Sequence, residues 1–392
     1  MFGMFPSFWP LELAISFIKF FLIFLVFLTC IFTVMALMGY KRWIWSLITY
    51  PLIFLVFLTC VYTVMALMGD KGWIWSLTTH FRVQYLIVQS IALMLTGVGL
   101  WNKRRNYQSI GRMAKLNVLI LALFVGINGW AILPYYLPAP NASQPSQGHV
   151  RLMHCNLFGL LNQRTDYVID AIQDNQPDIL DLVEYTSTWQ ERLRQSGILK
   201  AYPYHLLAGH GHIGLYSKIP LRNTRLVFTS SSRKVSNHAN LLATFNLGGS
   251  PVTLLVAHPA SPVRPSHLEW LKQSFGVWAQ ERPNLGENLV IVGDLNTSPW
   301  SVEFNQLIKH TGLRDSQLGF GLQPSWPMWI PLPDDRRMPT WVARSLLIPI
   351  DHVLVSPRIK VLARRTGPFD GSDHLPVIID LAITPNTKPV VH

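Results

Sequence analysis

Acidic side chains are nearly missing from the first third of this 392-residue chain. Residues 1–140 carry two of them, Glu12 and Asp70, against ten Lys/Arg; residues 141–392 carry nineteen against twenty-three. The formal charge of +12 therefore concentrates beside the apolar N-terminal segments. Charge placed there sets membrane orientation and argues against a basic, nucleic-acid-coating domain. Cysteine is also scarce. Cys30 and Cys60 lie inside apolar segments and Cys155 in an expected strand, so neither a disulfide framework nor a thiolate metal site is present. The N-terminus has neither the basic start nor the small-residue cleavage site of a signal peptide.

What the first third does have is long hydrophobic runs. Four apolar segments, 11–38, 50–69, 83–100 and 116–137, approach the roughly 20 residues that span a bilayer. IFLVFLTCIFTVMALMG at 23–39 recurs as IFLVFLTCVYTVMALMG at 53–69, and WIWSL follows both. Residues 23–52 and 53–82 thus read as a duplicated membrane helix with its loop. Two copies, apolar all round, do not make a solenoid. Tyr40-Lys41-Arg42 follows the first copy and Asp70-Lys71-Gly72 the second, so the first loop is the more basic. The stretch 101–115, with Lys103, Arg104, Arg105, Arg112 and Lys115, is expected in the cytoplasm. The last span then exits outward, and Trp101, Trp130, Tyr135 and Tyr136 suit the membrane interfaces. This describes a multi-pass protein of the inner, cytoplasmic membrane, with residues 1–137 as membrane region and about four transmembrane helices. PAPNASQPSQGH at 138–149 is a linker by composition. A separate extracytoplasmic domain is expected over 150–392.

In that domain, apolar strands outnumber helices. VRLMHCNLFG (150–159), DILDLVEYT (178–186), HIGLYSKIPL (212–221), LLATFNL (241–247), VTLLVAHPASP (252–262), LVIV (289–292), IPIDHVLVS (348–356) and GSDHLPVIIDL (371–381) read as strands. Residues 162–177 and 265–281 carry apolar residues at helical spacing, and 301–313 has Ser301 as N-cap and Gly312 as C-terminal stop. The fold class this implies is an α/β sandwich, two sheets face to face with helices outside.

Several strands end in polar residues of one chemical kind. LVIVGDLNTSPW ends a buried strand in Asp294 and Asn296, two apart and on one side of an extended backbone. Oxygen donors of that kind suit a hard divalent cation. Asn156, Glu184, His258, Asp351-His352 and Asp373-His374 stand at other strand ends. A lone carboxylate there is usually solvated, and a lone His is usually structural. Cys155 reads as a small core residue, and His205, His210 and His212 lack the partners of a zinc site.

Taken in order, HCNLFG, DLVEYT, SKIPL, VAHPASP, GDLN, IDHVLVS and GSDHLPV resemble the motifs of the DNase-I-like endonuclease/exonuclease/phosphatase superfamily over about residues 150–382. The arrangement looks like its bacterial membrane-anchored branch, linked to teicoplanin-type resistance and polyprenyl-pyrophosphate hydrolysis. The resemblance implies a four-layer α/β sandwich of two packed mixed sheets flanked by helices, preceded by transmembrane helices. It implies a metal-dependent hydrolase of phosphate esters, with Mg²⁺, or alternatively Mn²⁺, held by Asn156 and Glu184 and supported by Asp373. It makes His374 a general base oriented by Asp351. Asp294 and Asn296 would position water and phosphate, with Asp294 also in reach of the metal. His258 would bind phosphate or assist the leaving oxygen. The expected partners are the lipid bilayer and a lipid-linked phosphate or pyrophosphate. A membrane-tethered nuclease acting on nucleic acid is the alternative. Residues 318–347 form a Pro- and Trp-rich insertion carrying Trp326, Trp329, Trp341, Arg336, Arg337 and Arg344. It reads either as an amphipathic flap touching lipid or as a loop packed over the sandwich end.

Overall fold

The computed structural model describes residues 40–107, 109, 111–138, 146–208, 212–229, 239–332 and 336–385. The expected 11–38 span, the 23–39 repeat copy, most of the linker and His210 lie outside the described residues. The N-terminal region consists of α1 (Tyr40–Leu67), α2 (Trp73–Thr78), α3 (Arg82–Arg105) and α4 (Arg112–Ile132). Tyr40-Lys41-Arg42, read from sequence as a loop, begins α1 instead, and the helix continues through Pro51. A proline removes one N–H from the ladder, and the apolar turns on either side continue it. Trp73–Arg105 and Ala114–Tyr136 are helical stretches long and apolar enough to cross a membrane by length and composition.

The interior of this bundle holds a polar cluster among buried apolar residues. Asn128 Nδ2 donates to Thr63 Oγ1 and to Gln89 Oε1, both at 3.0 Å, tying α1, α3 and α4 together. The outward residues Ile87, Met94, Leu119 and Leu123 are apolar and exposed. Apolar outside and hydrogen-bonded inside is the arrangement lipid favours, since polar groups there must find partners among themselves.

Twelve strands follow among the described residues. They are β1 (Gln147–Asn156), β2 (Ile179–Val183), β3 (Tyr204–Ala208), β4 (Ile213–Ser217), β5 (Arg222–Phe228), β6 (Ala239–Leu247), β7 (Ser250–Val256), β8 (Leu289–Asp294), β9 (Arg314–Asp315), β10 (Asp351–Val355), β11 (Ile359–Thr366) and β12 (Val377–Ile383). They form two six-stranded sheets in the orders β11-β12-β1-β2-β4-β3 and β5-β6-β7-β8-β10-β9. The inner faces meet through Leu152, Ile179, Leu215 and Ile379 on one side and Leu241, Leu254, Val290 and Val353 on the other. Helices α5 (Thr165–Asn175) and α6 (Ser187–Ser196) cover the first sheet through Ile172, Trp189 and Leu193. Helices α7 (Pro265–Glu281) and α8 (Val302–Thr311) cover the second through Phe275, Trp278 and Phe304. The result is the expected four-layer sandwich. Ser301 caps α8 by accepting from Phe304 N at 3.0 Å, and Gly312 ends it left-handed at φ 67°, both as the sequence predicts.

Two-sided burial explains the unbroken apolar run of β8. Val290 and Val292 face the other sheet, while Leu289 and Ile291 face α7 and α8. Each such side chain contributes about 1.5–3 kcal/mol of burial.

The end of β8 is closed by Gly293. Its φ is 149°, and a Cβ there would stand 1.8 Å from the Ala257 carbonyl oxygen on the neighbouring strand end. Gly293→Ala is expected to destabilise the domain by about 3 kcal/mol or more, since backbone must move to relieve the overlap. Gly276→Ala, in open space on α7, is expected to be neutral or stabilising by up to about 1 kcal/mol. Thermal denaturation of the two variants checks the contrast; equal midpoints would contradict it.

Candidate active site

The pairing of strands brings the polar strand ends to one edge. Parallel pairs β1/β2 and β7/β8 end together, which places Asn156, Glu184, His258 and Asp294 side by side. β10 runs antiparallel to β8 and starts at that edge, with Asp351 directly opposite Asp294. β12 runs antiparallel to β1, with Val377 opposite His154, so Asp373-His374 arrive at the same rim.

The side chains converge. Asn156 Nδ2 lies 3.3 Å from Glu184 Oε1, 3.0 Å from Asp294 Oδ2 and 3.4 Å from His374 Nε2. Asp294 Oδ2 sits between two imidazoles, 3.6 Å from His258 Nε2 and 3.6 Å from His374 Nε2. His374 Nδ1 donates to Asp351 Oδ2 at 2.8 Å. Asn296 N donates to Asp294 Oδ1 at 2.9 Å, and Asn296 Nδ2 donates to the Pro259 carbonyl at 3.1 Å, tying the His258 loop to the Asp294 loop. Glu184 and Asn296 both hold positive φ, 51° and 53°. Every sequence-predicted site residue is at this one rim. Asn156 departs from its expected part in one respect. Its Oδ1 accepts from Phe158 N at 3.0 Å, so the amide presents N–H to the carboxylates. Ligation of a cation through its oxygen would need the amide to turn over.

The charges of Glu184 and Asp294 act on Asp373 here. Burial, with the like charges of Glu184 and Asp294, pushes Asp373 up to about 7 against the opposing His374. A buried carboxyl with raised proton affinity favours a nearby cation, and oxygen donors suit a hard divalent one. Asp294, Asp351 and His374 also bring one ligand atom each within 4.8 Å of one another and could hold an ion. In that trio Asp351 already accepts from His374, His154 and Ser325. Hydrogen bonding therefore already occupies Asp351. Burial opposes a charge on Asp351, yet the imidazoles of His374 and His154 hold its carboxyl well below the usual carboxylate range. Burial opposes a charge on His374, yet Asp351, Asp373 and Asp294 raise its imidazole well above its ordinary value.

Several partners escaped the sequence reading. His154, on the inner face of β1, lies 2.6 Å from Asp181 and 3.0 Å from Asp351. Burial alone would lower its pKa; Asp181 and Asp351 instead push it up to about 10. Only an unusual His-x-Asn alternation, with both side chains on one strand face, could have flagged it. The 318–347 insertion packs on the site. Trp326 Nε1 donates to Asp373 Oδ2 at 2.8 Å, Met328 N to the Asp373 carbonyl at 2.7 Å, and Ser325 Oγ to Asp351. Trp329 is buried against Phe158, with Arg337 3.9 Å over its ring, whereas Trp341 is 77% exposed. The part around Trp326 and Trp329 is thus packed over the sandwich end, as the loop reading expects.

The sequence model of the Endonuclease/Exonuclease/phosphatase family matches residues 153–374. Among solved structures, D. rerio TDP2 complexed with a single strand DNA product is 15% identical, covering 59% of this chain and 98% of that chain, with a TM-score of 0.48. The endonuclease/exonuclease/phosphatase from Beutenbergia cavernae is 17% identical, covering 60% and 72%, with a TM-score of 0.44. Sphingomyelinase C from Streptomyces griseocarneus is 16% identical, covering 60% and 99%, with a TM-score of 0.42. No curated protein sequence matches the chain.

The Trp326–Asp373 hydrogen bond generates a test that does not depend on substrate. Partners that orient metal-binding carboxylates typically affect affinity by 10–100-fold. Trp326→Phe keeps the ring and removes the donor, and is expected to weaken Mn²⁺ binding by about tenfold in titration calorimetry. Unchanged affinity would separate Asp373 from the cation site.

Proposed function

Because the chain belongs to the endonuclease/exonuclease/phosphatase family, we propose that this metal-dependent phosphoester hydrolase is anchored in the cytoplasmic membrane and acts outside it on a lipid-linked phosphate or pyrophosphate. One observation carries the lipid reading: the loops that bear the site are hydrogen-bonded to the apolar helices. In the Asp294 loop, Ser298 N donates to His80 Nδ1 at 3.1 Å, and Trp300 Nε1 donates to the Ala131 carbonyl at 3.1 Å. Trp73 Nε1 donates to the Pro262 carbonyl, beyond His258, at 2.6 Å. The insertion is tied at both ends, through Gly321 N to the Tyr135 carbonyl at 2.8 Å and through Gln84 Nε2 to the Leu347 carbonyl at 3.0 Å. A substrate whose phosphate lies at the bilayer surface needs the site held in that way. The basic cluster Lys103, Arg104 and Arg105 ends α3 at the opposite pole, about 36 Å from its start at 1.5 Å per residue. Positive charge marks the cytoplasmic side, which supports a catalytic domain facing outward.

The chemistry follows from the geometry. Held by Glu184 and Asp373, with Asp294 in reach, a divalent cation would polarise a phosphoryl oxygen and offset the carboxylate charge around His374. His374 Nε2 takes a proton from the attacking water while Asp351 keeps its Nδ1 protonated and aimed. Asp294 Oδ2, beside His374 Nε2, orients that water. The water oxygen bonds to phosphorus as the bond from phosphorus to the leaving oxygen breaks. His258, on the far side of Asp294, donates a proton to the leaving oxygen or a hydrogen bond to the phosphoryl group. Asn296 fixes the loop that separates the two imidazoles.

The exposed Trp341 stands on the short helix α9 (Thr340–Ser345), whose Ser345 carbonyl accepts from Gln84 of α3 at 3.3 Å. One turn further along α3, Ile87 is exposed. An exposed Trp beside the apolar helix supports this reading, since Trp is favoured at the bilayer surface. In proteoliposomes with Mg²⁺, polyprenyl pyrophosphate is expected to release phosphate at least about tenfold faster than phospholipid or duplex DNA is cleaved, a discrimination of about 1.4 kcal/mol. DNA cleavage without lipid-phosphate turnover would overturn the reading in favour of a tethered nuclease. Trp341→Ala is expected to slow the embedded substrate several-fold and leave bis(p-nitrophenyl) phosphate hydrolysis unchanged; an equal loss on both would remove Trp341 from lipid contact.

A further inference from the structure

Among the described residues, the inner faces of the two sheets are lined mainly by apolar side chains, and a charged pair interrupts them. His154 on β1 and Asp181 on β2 are register partners in the first sheet, and both side chains are essentially inaccessible to solvent. His154 Nδ1 lies 2.6 Å from Asp181 Oδ2, and His154 Nε2 crosses to the second sheet, 3.0 Å from Asp351 Oδ1. Asp351 Oδ2 in turn accepts from His374 Nδ1 at 2.8 Å. The four side chains form one unbroken file, Asp181–His154–Asp351–His374, from the middle of the sandwich to the site.

Stability does not explain this file. Buried ion pairs recover little of the several kcal/mol needed to desolvate each ion, and apolar replacements of similar volume are commonly as stable or more so. Asp181 Oδ1 has no hydrogen-bond partner among the described residues, so that carboxylate is poorly compensated as a structural group. Among the described residues, His154 is the hydrogen-bond partner of the Asp181 side chain. Both ring nitrogens of His154 face carboxylate oxygens, so both must carry protons to donate, and the ring cannot turn without losing one bond. A ring fixed at both ends fixes Asp351 Oδ1, while Ser325 and His374 share Oδ2. The Asp351 carboxylate is thereby locked about its side-chain torsion, and that torsion aims His374.

We propose that His154 and Asp181 are positioning residues for the Asp351–His374 pair, acting on the base through Asp351 without touching substrate or cation. This rests on the reading of His374 as the base. The role is distinct from that of Asp351 itself, because the His154–Asp181 pair adds no net charge to the centre. Removing both together changes orientation and leaves the charge at the rim as it was.

The test uses the full chain and the double variant His154→Met/Asp181→Leu, which refills the core with apolar volume, alongside the single variant His154→Gln. With bis(p-nitrophenyl) phosphate, the double variant is expected to lose about tenfold in kcat, because small misplacements of a catalytic group are costly. KM and Mn²⁺ affinity are expected to stay within about twofold, and thermal stability to match wild type or exceed it. Unchanged kcat in a folded double variant overturns the proposal, as does a loss confined to KM or to metal affinity. A second readout needs no turnover. In ¹⁵N-histidine-labelled protein, the His374 Nδ1–H resonance, assigned by its disappearance in His374→Ala, is expected to exchange with water faster in the double variant and in His154→Gln. Equal exchange in all three proteins overturns the proposal even if no substrate is turned over. An inactive wild type with accelerated exchange in the variants would defeat the functional reading and leave the positioning role standing.

Discussion

The carboxylate of Asp351 is the joint on which this structure turns. It begins β10 in one sheet and accepts hydrogen bonds from His154 and His374, both delivered by the other sheet. Ser325, from the long insertion, donates to it as well. A buried carboxylate is tolerated only where donors surround it, and here three converge from separate parts of the chain. The apolar packing between the sheets sets their separation, and this cluster sets their register at the functional edge. If β10 slipped by one residue against β8, each of its inward side chains would turn outward and Asp351 would leave the cluster.

The same edge is where the N-terminal helices dock. Ile132, Tyr135 and Trp300 form a small core of their own, with Val83, Leu86 and Leu322 packed on it. Glu303, at the start of α8, is buried and accepts from Ser76 Oγ at 3.0 Å. These contacts fix the loop after Asp294 on one side, while the insertion fixes Asp351 and Asp373 on the other. The helices and the sandwich are thus joined through the elements that also carry the site. An enzyme that takes substrate from a bilayer gains from such a joint, because its binding step then begins at the membrane surface.

Much of this was legible in the sequence, for identifiable reasons. Asp294, Asp351 and His374 stand directly after or before apolar runs, so their arrival at a sheet edge follows from the strand assignment. Ser301 and Gly312 marked a helix correctly because cap chemistry is local. The partners of the site were not legible. His154 sits inside an apolar strand, where a single histidine looks like an ordinary core residue, and only the fold brings Asp181 beside it and Asp351 opposite. Ser325 and Trp326 belong to a segment without periodicity, so nothing in the pattern pointed them at Asp351 and Asp373. The loop expected around Lys41 and Arg42 became helix because the signals for a turn there were charges alone, without Gly or a stop after them. The contact of His80 with Ser298 joins residues 218 apart, a separation at which local pattern carries no information.

The central claim is that carboxylates from separate strand ends assemble one cation-assisted centre. The most direct measurement is anomalous scattering from crystals of the full chain soaked with Mn²⁺. The account predicts a strong peak at the rim within bonding distance of a Glu184 oxygen, with Asp373 or Asp294 as a further ligand and His374 beyond ligand distance. Saturating Mn²⁺ with no peak at Glu184, or a peak held by residues away from this edge, would contradict it.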